Sequence, residues 1–320
     1  MRLRFMALLV LAVCMQANAA SAQVCTFSNT GVDFGNVNLT SGGFQTSTGT
    51  LSASCTGTPG QSIRICANFD AGSGGVSASG DPRYMLQGAS QLSYNLFQNN
   101  GVGQVWGSYL WTPSPRPPAL SVALDGSGFG SLSRTYNARI YNGQSVTPKG
   151  TFISTFSGLQ SQMDYGYVAS FNCSKTLSTR AQSVPFVVRT TNNSTCAVST
   201  TDLDFGTQDD LSTAKLASNF VNVTCTPGTA YTIGMSNGSS GATNPALRKM
   251  TNAASTDFVG YSIYSDAART KIWGNGATGA ITSAMGNGLM QSFIGYGLVP
   301  AQATPTPLGY TDMVVVTITY

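Results

Sequence analysis

Apolar and polar residues alternate along much of the chain, the period-two pattern of strands that bury one face. Leu92-Ser-Tyr-Asn-Leu-Phe97 alternates in this way, and so does Val259-Gly-Tyr-Ser-Ile-Tyr264. Leu51 to Cys55 and Ser62 to Phe69 read as two strands broken by the turn signal Thr58-Pro59-Gly60, with a Gly/Ser-rich loop from Ala71 to Gly80. Val184, Phe186 and Val188 share one face of a strand ahead of Cys196, and Met313 to Tyr320 reads as a last, β-branched strand. The pattern predicts an all-β protein.

The pattern occurs twice. From Cys25 the chain reads Cys-Thr-Phe-Ser-Asn-Thr-Gly-Val-Asp-Phe-Gly, and from Cys196 it reads Cys-Ala-Val-Ser-Thr-Thr-Asp-Leu-Asp-Phe-Gly. A second cysteine follows 30 residues later at Cys55 and 29 residues later at Cys225. Each tyrosine-rich strand runs on to a Trp-Gly dipeptide, Trp106-Gly107 and Trp273-Gly274, and both tryptophans are read as core. The copies realign at Pro148-Lys-Gly-Thr-Phe and Pro307-Leu-Gly-Tyr-Thr. Two tandem domains are therefore expected: residues 1–22 as a signal peptide, 23–178 as a first domain, 179–193 as a linker strand and 194–320 as a second domain. Asp-Phe-Gly is read as a turn after a core aromatic, because a kinase also needs a His-Arg-Asp loop and the chain has no histidine.

Composition narrows the function. Only 9% of the 320 residues are charged, and neither His nor Glu occurs. That excludes a Ser-His-Asp triad, an ordinary zinc site and a Glu general acid, so no enzyme, cofactor or metal site is expected. Asp202 with Asp204 and Asp209 with Asp210 read as turn residues. Arg2 and Arg4 precede an apolar run from Phe5 to Met15 and an Ala20-Ser21-Ala22 cleavage site, the layout of a secretory signal peptide. Its removal takes the formal charge from +4 to +2 and the cysteines from seven to six. No second stretch has the length of a membrane span, and the weak, unclustered charge gives no reason to expect nucleic acid. Six cysteines in an exported chain are expected to be oxidised. Of fifteen pairings, the repeat selects Cys25 with Cys55 and Cys196 with Cys225, which leaves Cys66 with Cys173.

The two copies differ in their inserts. The first carries Tyr109-Leu110-Trp111 ahead of Pro113, Pro115, Pro117 and Pro118, an aromatic tip on a stiff proline run. A second segment without a counterpart holds Phe156, Leu159, Met163 and Tyr165 and leads to a strand from Tyr167 to Cys173, while Phe129 sits between two glycines as a third apolar point. Loops carry binding on a rigid sandwich, so these eight residues are the candidate surface-binding fingers.

With the Cys, seven residues, Asp-Phe-Gly opening, the Trp-Gly dipeptide and the closing Gly-Tyr-Thr-Asp-Met-Val-Val-Val-Thr-Ile-Thr-Tyr320, the chain resembles the spore coat protein U family, pilin-type domains of archaic chaperone–usher pili. The resemblance implies immunoglobulin-like sandwiches, the second lacking one strand and completed by donor-strand complementation. The acceptor region would be Met313, Val314, Val315, Val316, Thr317, Ile318, Thr319 and Tyr320. Implied partners are a periplasmic pilus chaperone, an outer-membrane usher, the adjacent pilin subunit and an abiotic or host surface. Only Gln23 and Val24 separate the expected cleavage site from Cys25, so the chain is expected to accept a strand and donate none, which places it at the pilus tip. Its expected role is a two-domain tip adhesin acting in surface attachment and biofilm formation. The rival readings are a glycan- or protein-receptor-binding tip and a structural pilus or coat subunit. Val184 to Thr190 is expected to complete the first domain in cis.

Overall fold

The structure, a computed structural model, describes residues 22–98, 103–111, 115–168, 172–174 and 180–320. All but the last residue of the expected signal peptide, and also Pro113, lie outside them. Among the described residues twenty strands follow in order: β1 (Val24–Asn29), β2 (Val32–Val37), β3 (Gln45–Thr56), β4 (Ser62–Phe69), β5 (Arg83–Gln87), β6 (Ser90–Phe97), β7 (Ala119–Ala123), β8 (Phe129–Ile140), β9 (Gly150–Phe156), β10 (Ser161–Gly166), β11 (Arg180–Ser183), β12 (Phe186–Asn192), β13 (Cys196–Thr200), β14 (Lys215–Cys225), β15 (Ala230–Met235), β16 (Arg248–Thr251), β17 (Phe258–Tyr264), β18 (Thr282–Met285), β19 (Gln291–Val299) and β20 (Val316–Thr319). Helix is confined to three single 3-10 turns among the described residues, so the protein is all-β as its alternation predicts.

Four sheets form two sandwiches. In the first domain an eight-stranded sheet, β1-β3-β8-β6-β5-β9-β12-β2, faces the four-stranded sheet β11-β10-β4-β7. In the second, β13-β14-β19-β17-β16 faces β18-β15-β20. Disulfides join Cys25 to Cys55, Cys66 to Cys173 and Cys196 to Cys225, the pairing selected by the repeat. The first and third lie directly across antiparallel strand pairs, β1 on β3 and β13 on β14.

The repeat also fixes a buried arginine in each core, which sequence reading missed. Arg83 on β5 sits opposite Tyr94, and Arg248 on β16 sits opposite Tyr261. Both guanidinium groups are fully buried and donate to backbone carbonyls: Arg83 Nη2 to Trp106 at 2.6 Å and to Phe69 at 2.6 Å, Arg248 Nη2 to Trp273 at 2.8 Å and to Ser236 at 2.6 Å. The tryptophans, also buried, donate Nε1 to the carbonyls of Ala67 and Ile233. Burial pulls the Arg83 guanidinium down to about 10, which still leaves it cationic at neutral pH. A buried charge survives where it is fully hydrogen-bonded, and here each cation ties a loop to the floor of its sandwich.

Two expectations are corrected. The strand predicted from Tyr167 to Cys173 is not seen in its described residues: β10 ends at Gly166, residues 167, 168, 172 and 173 are irregular, and residues 169–171 lie outside the described residues. Nor does the whole segment lack a counterpart. β10 pairs with β4 as β20 pairs with β15, so the insert reduces to the 3-10 turn around Gly158–Gln160. The sequence disguised this equivalence because β10 carries Ser161, Asp164 and Gly166 where β20 has a β-branched run.

β12, a linker strand in sequence that is expected to complete the first domain in cis, is integral to the first sandwich. It runs antiparallel to β9, Phe186 against Phe156, and parallel to β2, Val188 against Val32. Val184, Phe186, Val188, Thr190 and Asn192 point inward and are buried. Arg180–Ser183 extends the opposite sheet, so the chain between the copies serves both layers. Phe186 stacks on Phe156 with ring centroids 4.3 Å apart and lies 4.8 Å from Phe69. Phe186→Ala is expected to destabilise the first domain by about 3–5 kcal/mol, measured as a lower urea midpoint.

Candidate functional site

Two loops, one between β6 and β7 and one between β9 and β10, meet at the end of β4 and hold the first site. Asn68, fully buried, accepts from Tyr109 N at 3.0 Å and donates to the Leu159 carbonyl at 2.9 Å, so one side chain joins the two inserts. Two residues on, Asp70 accepts from Trp111 Nε1 at 2.5 Å, and its backbone N donates to the Gln160 carbonyl at 2.8 Å. The Arg83 guanidinium lies 4.7 Å from the centre of the Trp111 ring, a cation–π contact that pins the indole inward. With Tyr109 and Trp111 held down, the residue between them turns out. Leu110 is 50% exposed and Leu159 is 62% exposed.

The eight candidate fingers therefore divide. Phe156 and Met163 are wholly buried in the first core, Tyr165 packs edge-on to Phe27 at 5.5 Å, and Tyr109 is buried beneath its own loop. These four are corrected to core residues: each lies on a strand or at a loop base whose inner face the opposing sheet covers. Trp111 is an anchor for its loop, half-buried by Asp70 and Arg83. Phe129 is exposed at 46%, but it opens β8 beside the β3–β4 turn, where Gly57 N donates to Gly128 O. That turn precedes Ser62 at the start of β4, whereas Leu159 lies beyond Phe69 at its end. The intervening strand spans roughly 23 Å. Leu110 and Leu159 form one pair, and Phe129 does not join it.

Beneath the pair lies a charged group that the sequence reading passed over. Asp164 on β10 is buried and accepts from Gln162 Nε2 at 2.8 Å through Oδ1. Desolvation raises its pKa above the ordinary carboxylate value, opposed by the hydrogen bonds it receives from Gln162 and Tyr109. The same neighbourhood raises the Tyr109 phenol, by burial first and the Asp164 charge second.

The second site is the counterpart of the β12 position. In the second domain no strand among the described residues fills it, and a groove of about 970 Å³ runs between residues 200–209 and residues 304–314. Its floor includes Met235, Tyr261, Ile263 and Asn219. The repeated Asp-Phe-Gly changes role here. In both copies the aspartate accepts from the glycine N at 2.7 Å and the glycine takes positive φ, +66° at Gly35 and +67° at Gly206. In the first domain this turn is a bulge in β2 as it pairs with β12. In the second, residues 201–209 form no strand and become the groove wall. That wall went unrecognised as an acceptor edge, although the repeat carried the signal. Of the expected acceptor region, Met313, Val314 and Val316 line the groove. Thr317, Ile318 and Thr319 pair with β15, Val315 N donates to Ser236 Oγ, and Tyr320 lies exposed past the strand. Asp312 fixes the near rim, accepting from Tyr261 Oη at 2.7 Å and from Ser239 N at 2.8 Å.

A family model for the Spore Coat Protein U domain matches residues 11–157 and again 182–317. The chain belongs to the spore coat protein U family. The second match opens at residue 182 and so counts β12 with the second copy in sequence, while the fold packs it into the first. Protein U of Myxococcus xanthus is 42% identical over 74 residues, which cover 23% of this chain and 41% of that protein; the chain thus spans less than half the length of this relative. Among solved structures, the CsuC–CsuE chaperone–tip adhesion subunit pre-assembly complex of Acinetobacter baumannii Csu pili aligns at TM-score 0.55 and 13% identity, over 93% of this chain and 100% of that one. The likeness establishes a shared fold. The CupB6 tip adhesin of Pseudomonas aeruginosa aligns over 92% of this chain and 93% of that one at TM-score 0.35 and 11% identity.

Asp164 yields a pH prediction. Its raised pKa means that the folded chain binds this proton more tightly than the unfolded one, so its burial penalty is present at neutral pH and fades as pH falls toward about 4. Asp164→Asn is expected to raise the melting temperature at pH 7, with the gain shrinking in acid, as followed by scanning calorimetry across pH.

Proposed function

We propose that this family member is the adhesin subunit of a chaperone–usher pilus, exported through the periplasm to the cell surface and seated at the pilus tip. The observation that carries the reading is the contrast between the copies: one position is filled by the chain's own β12 in the first domain and stands open as a groove in the second. An open edge over an apolar floor binds an extended strand through main-chain hydrogen bonds, with alternate side chains entering the groove. A periplasmic chaperone fills it first, and the adjacent subunit follows at the outer-membrane usher. The shared fold with the Csu chaperone–adhesin complex supports this assignment.

The first domain, complete in itself, is free to bind. Leu110 and Leu159, held out by Asn68, give a small apolar contact suited to abiotic or host surfaces, and attachment through many pili builds avidity into a biofilm. This reading assigns the chain binding and no catalysis.

Two outcomes test it. Exchanging both Leu110 and Leu159 for Asp is expected to reduce retention on polystyrene at least tenfold, since burying one such side chain is worth about 1.5–3 kcal/mol, whereas Phe129→Asp leaves retention unchanged. Undiminished retention in the double variant shifts the assignment to a glycan- or protein-receptor tip. For the groove, Val314→Asp places an unpaired charge among apolar side chains and is expected to abolish co-purification with the co-expressed chaperone, without moving the first domain's unfolding midpoint.

A further inference from the structure

The two copies place one reversed residue pair at the same point of their sheets. Six residues before the second cysteine of the two repeated disulfides, Cys55 and Cys225, stand Gly49 and Asn219, and across the neighbouring strand they face Tyr136 and Gly295. In the first domain the tyrosine crosses its glycine: a Cβ on Gly49 would lie 2.4 Å from Tyr136 Oη. In the second the asparagine crosses its glycine: a Cβ on Gly295 would lie 2.3 Å from Asn219 Oδ1. A large ring on one strand has been exchanged for a short amide on the other.

The exchange matters to whatever enters the groove. In the first domain the β12 residue at this level is Phe186, and its ring meets Phe156 at 4.3 Å, Phe69 at 4.8 Å and Tyr136 at 6.3 Å. The equivalent positions of the second domain carry smaller groups. Ile153 bridges Leu86 three residues past Arg83, and Thr311 bridges Thr251 three residues past Arg248, so Val314 stands where Phe156 does. The tryptophan Nε1 bonds to the Ala67 and Ile233 carbonyls set Met235 in place of Phe69. Gly295 replaces Tyr136. All three aromatic neighbours are lost, and the space is not wholly apolar. Asn219 lines the groove at 8% exposure, donates Nδ2 to the Thr201 carbonyl at 3.0 Å, and leaves Oδ1 buried without a partner. A buried acceptor left unpaired is costly, so this site gains from a side chain that is large, flat and able to donate.

We propose that the strand completing the second domain presents a tyrosine at the position Phe186 holds in β12, its ring filling the space vacated at Gly295 and its hydroxyl donating to Asn219 Oδ1. The inference rests on the strand-acceptor reading of the groove and adds the chemistry of its partner: an extended segment running antiparallel to residues 309–314, apolar at alternate positions, with one donor-bearing aromatic anchor. Tyr136 Oη donating to Asn29 Oδ1 at 2.7 Å is the same device supplied from within the first domain.

Synthetic peptides of the Val184–Asn192 sequence, with Phe, Tyr or Val at the 186 position, test this by calorimetric titration into the full chain. The Tyr peptide is expected to bind about fivefold more tightly than the Phe peptide, the worth of one hydrogen bond, and both more tightly than the Val peptide. In Asn219→Ala the Tyr-over-Phe preference is expected to vanish, and in Asn219→Asp, which keeps an acceptor, to persist. The double variant Asn219→Gly with Gly295→Tyr rebuilds the first domain's pair, guards against a folding artefact, and is expected to lose the Tyr preference. Equal binding of Tyr and Phe peptides, or a preference that survives Asn219→Ala, overturns the inference and leaves the acceptor reading standing. If no peptide binds, the acceptor reading falls and the inference with it.

Discussion

The constraint on which both domains depend is the completion of a sandwich along one edge. An immunoglobulin-like sheet that lacks a strand presents a row of free backbone N–H and C=O groups beside an apolar floor, and both demand a partner. In the first domain β12 answers both, its backbone laddered to β9 and β2 and its inward side chains filling the core. In the second domain the same edge is left to the walls at 200–209 and 304–314. The proposed assembly role rests on that single difference, and the proposed adhesive role needs the completed domain to be stable alone.

A second constraint is repeated inside each core. The buried arginine that binds the tryptophan carbonyl fixes where the Trp-Gly loop leaves the sandwich. In the first domain the same guanidinium also supports Trp111, so the arginine that closes the core sets the angle at which Leu110 emerges. Asn68 does the corresponding work for Leu159. Rigid polar contacts below the loops let small apolar tips stay exposed without collapsing onto the sandwich.

How much was legible in the sequence depended on whether a feature repeats. Alternation over Leu92 to Phe97 and Val259 to Tyr264 marked matching strands, and the Cys-Asp-Phe-Gly copies selected the disulfides, because a repeated spacing can be laid against itself. The candidate fingers have no second copy to compare. Phe156 and Met163 are apolar like Leu110 and Leu159, Tyr165 is a large aromatic, and composition does not say which are covered by a facing sheet. Arg83 and Arg248 did repeat, but a lone arginine in a strand reads as solvent-facing until the fold sets three carbonyls around it.

By itself the sequence determined the class, the doubling and the cross-links, since side-chain period and cysteine spacing are local properties of the chain. Which copy owns β12 was decided only in three dimensions. The segment lies just ahead of Cys196, and the second family match includes it, yet it packs into the first domain. Membership is settled by which core can bury Phe186 and which edge can bond its backbone, and the first domain, with Phe69, Phe156 and Tyr136 set around that ring, offers both.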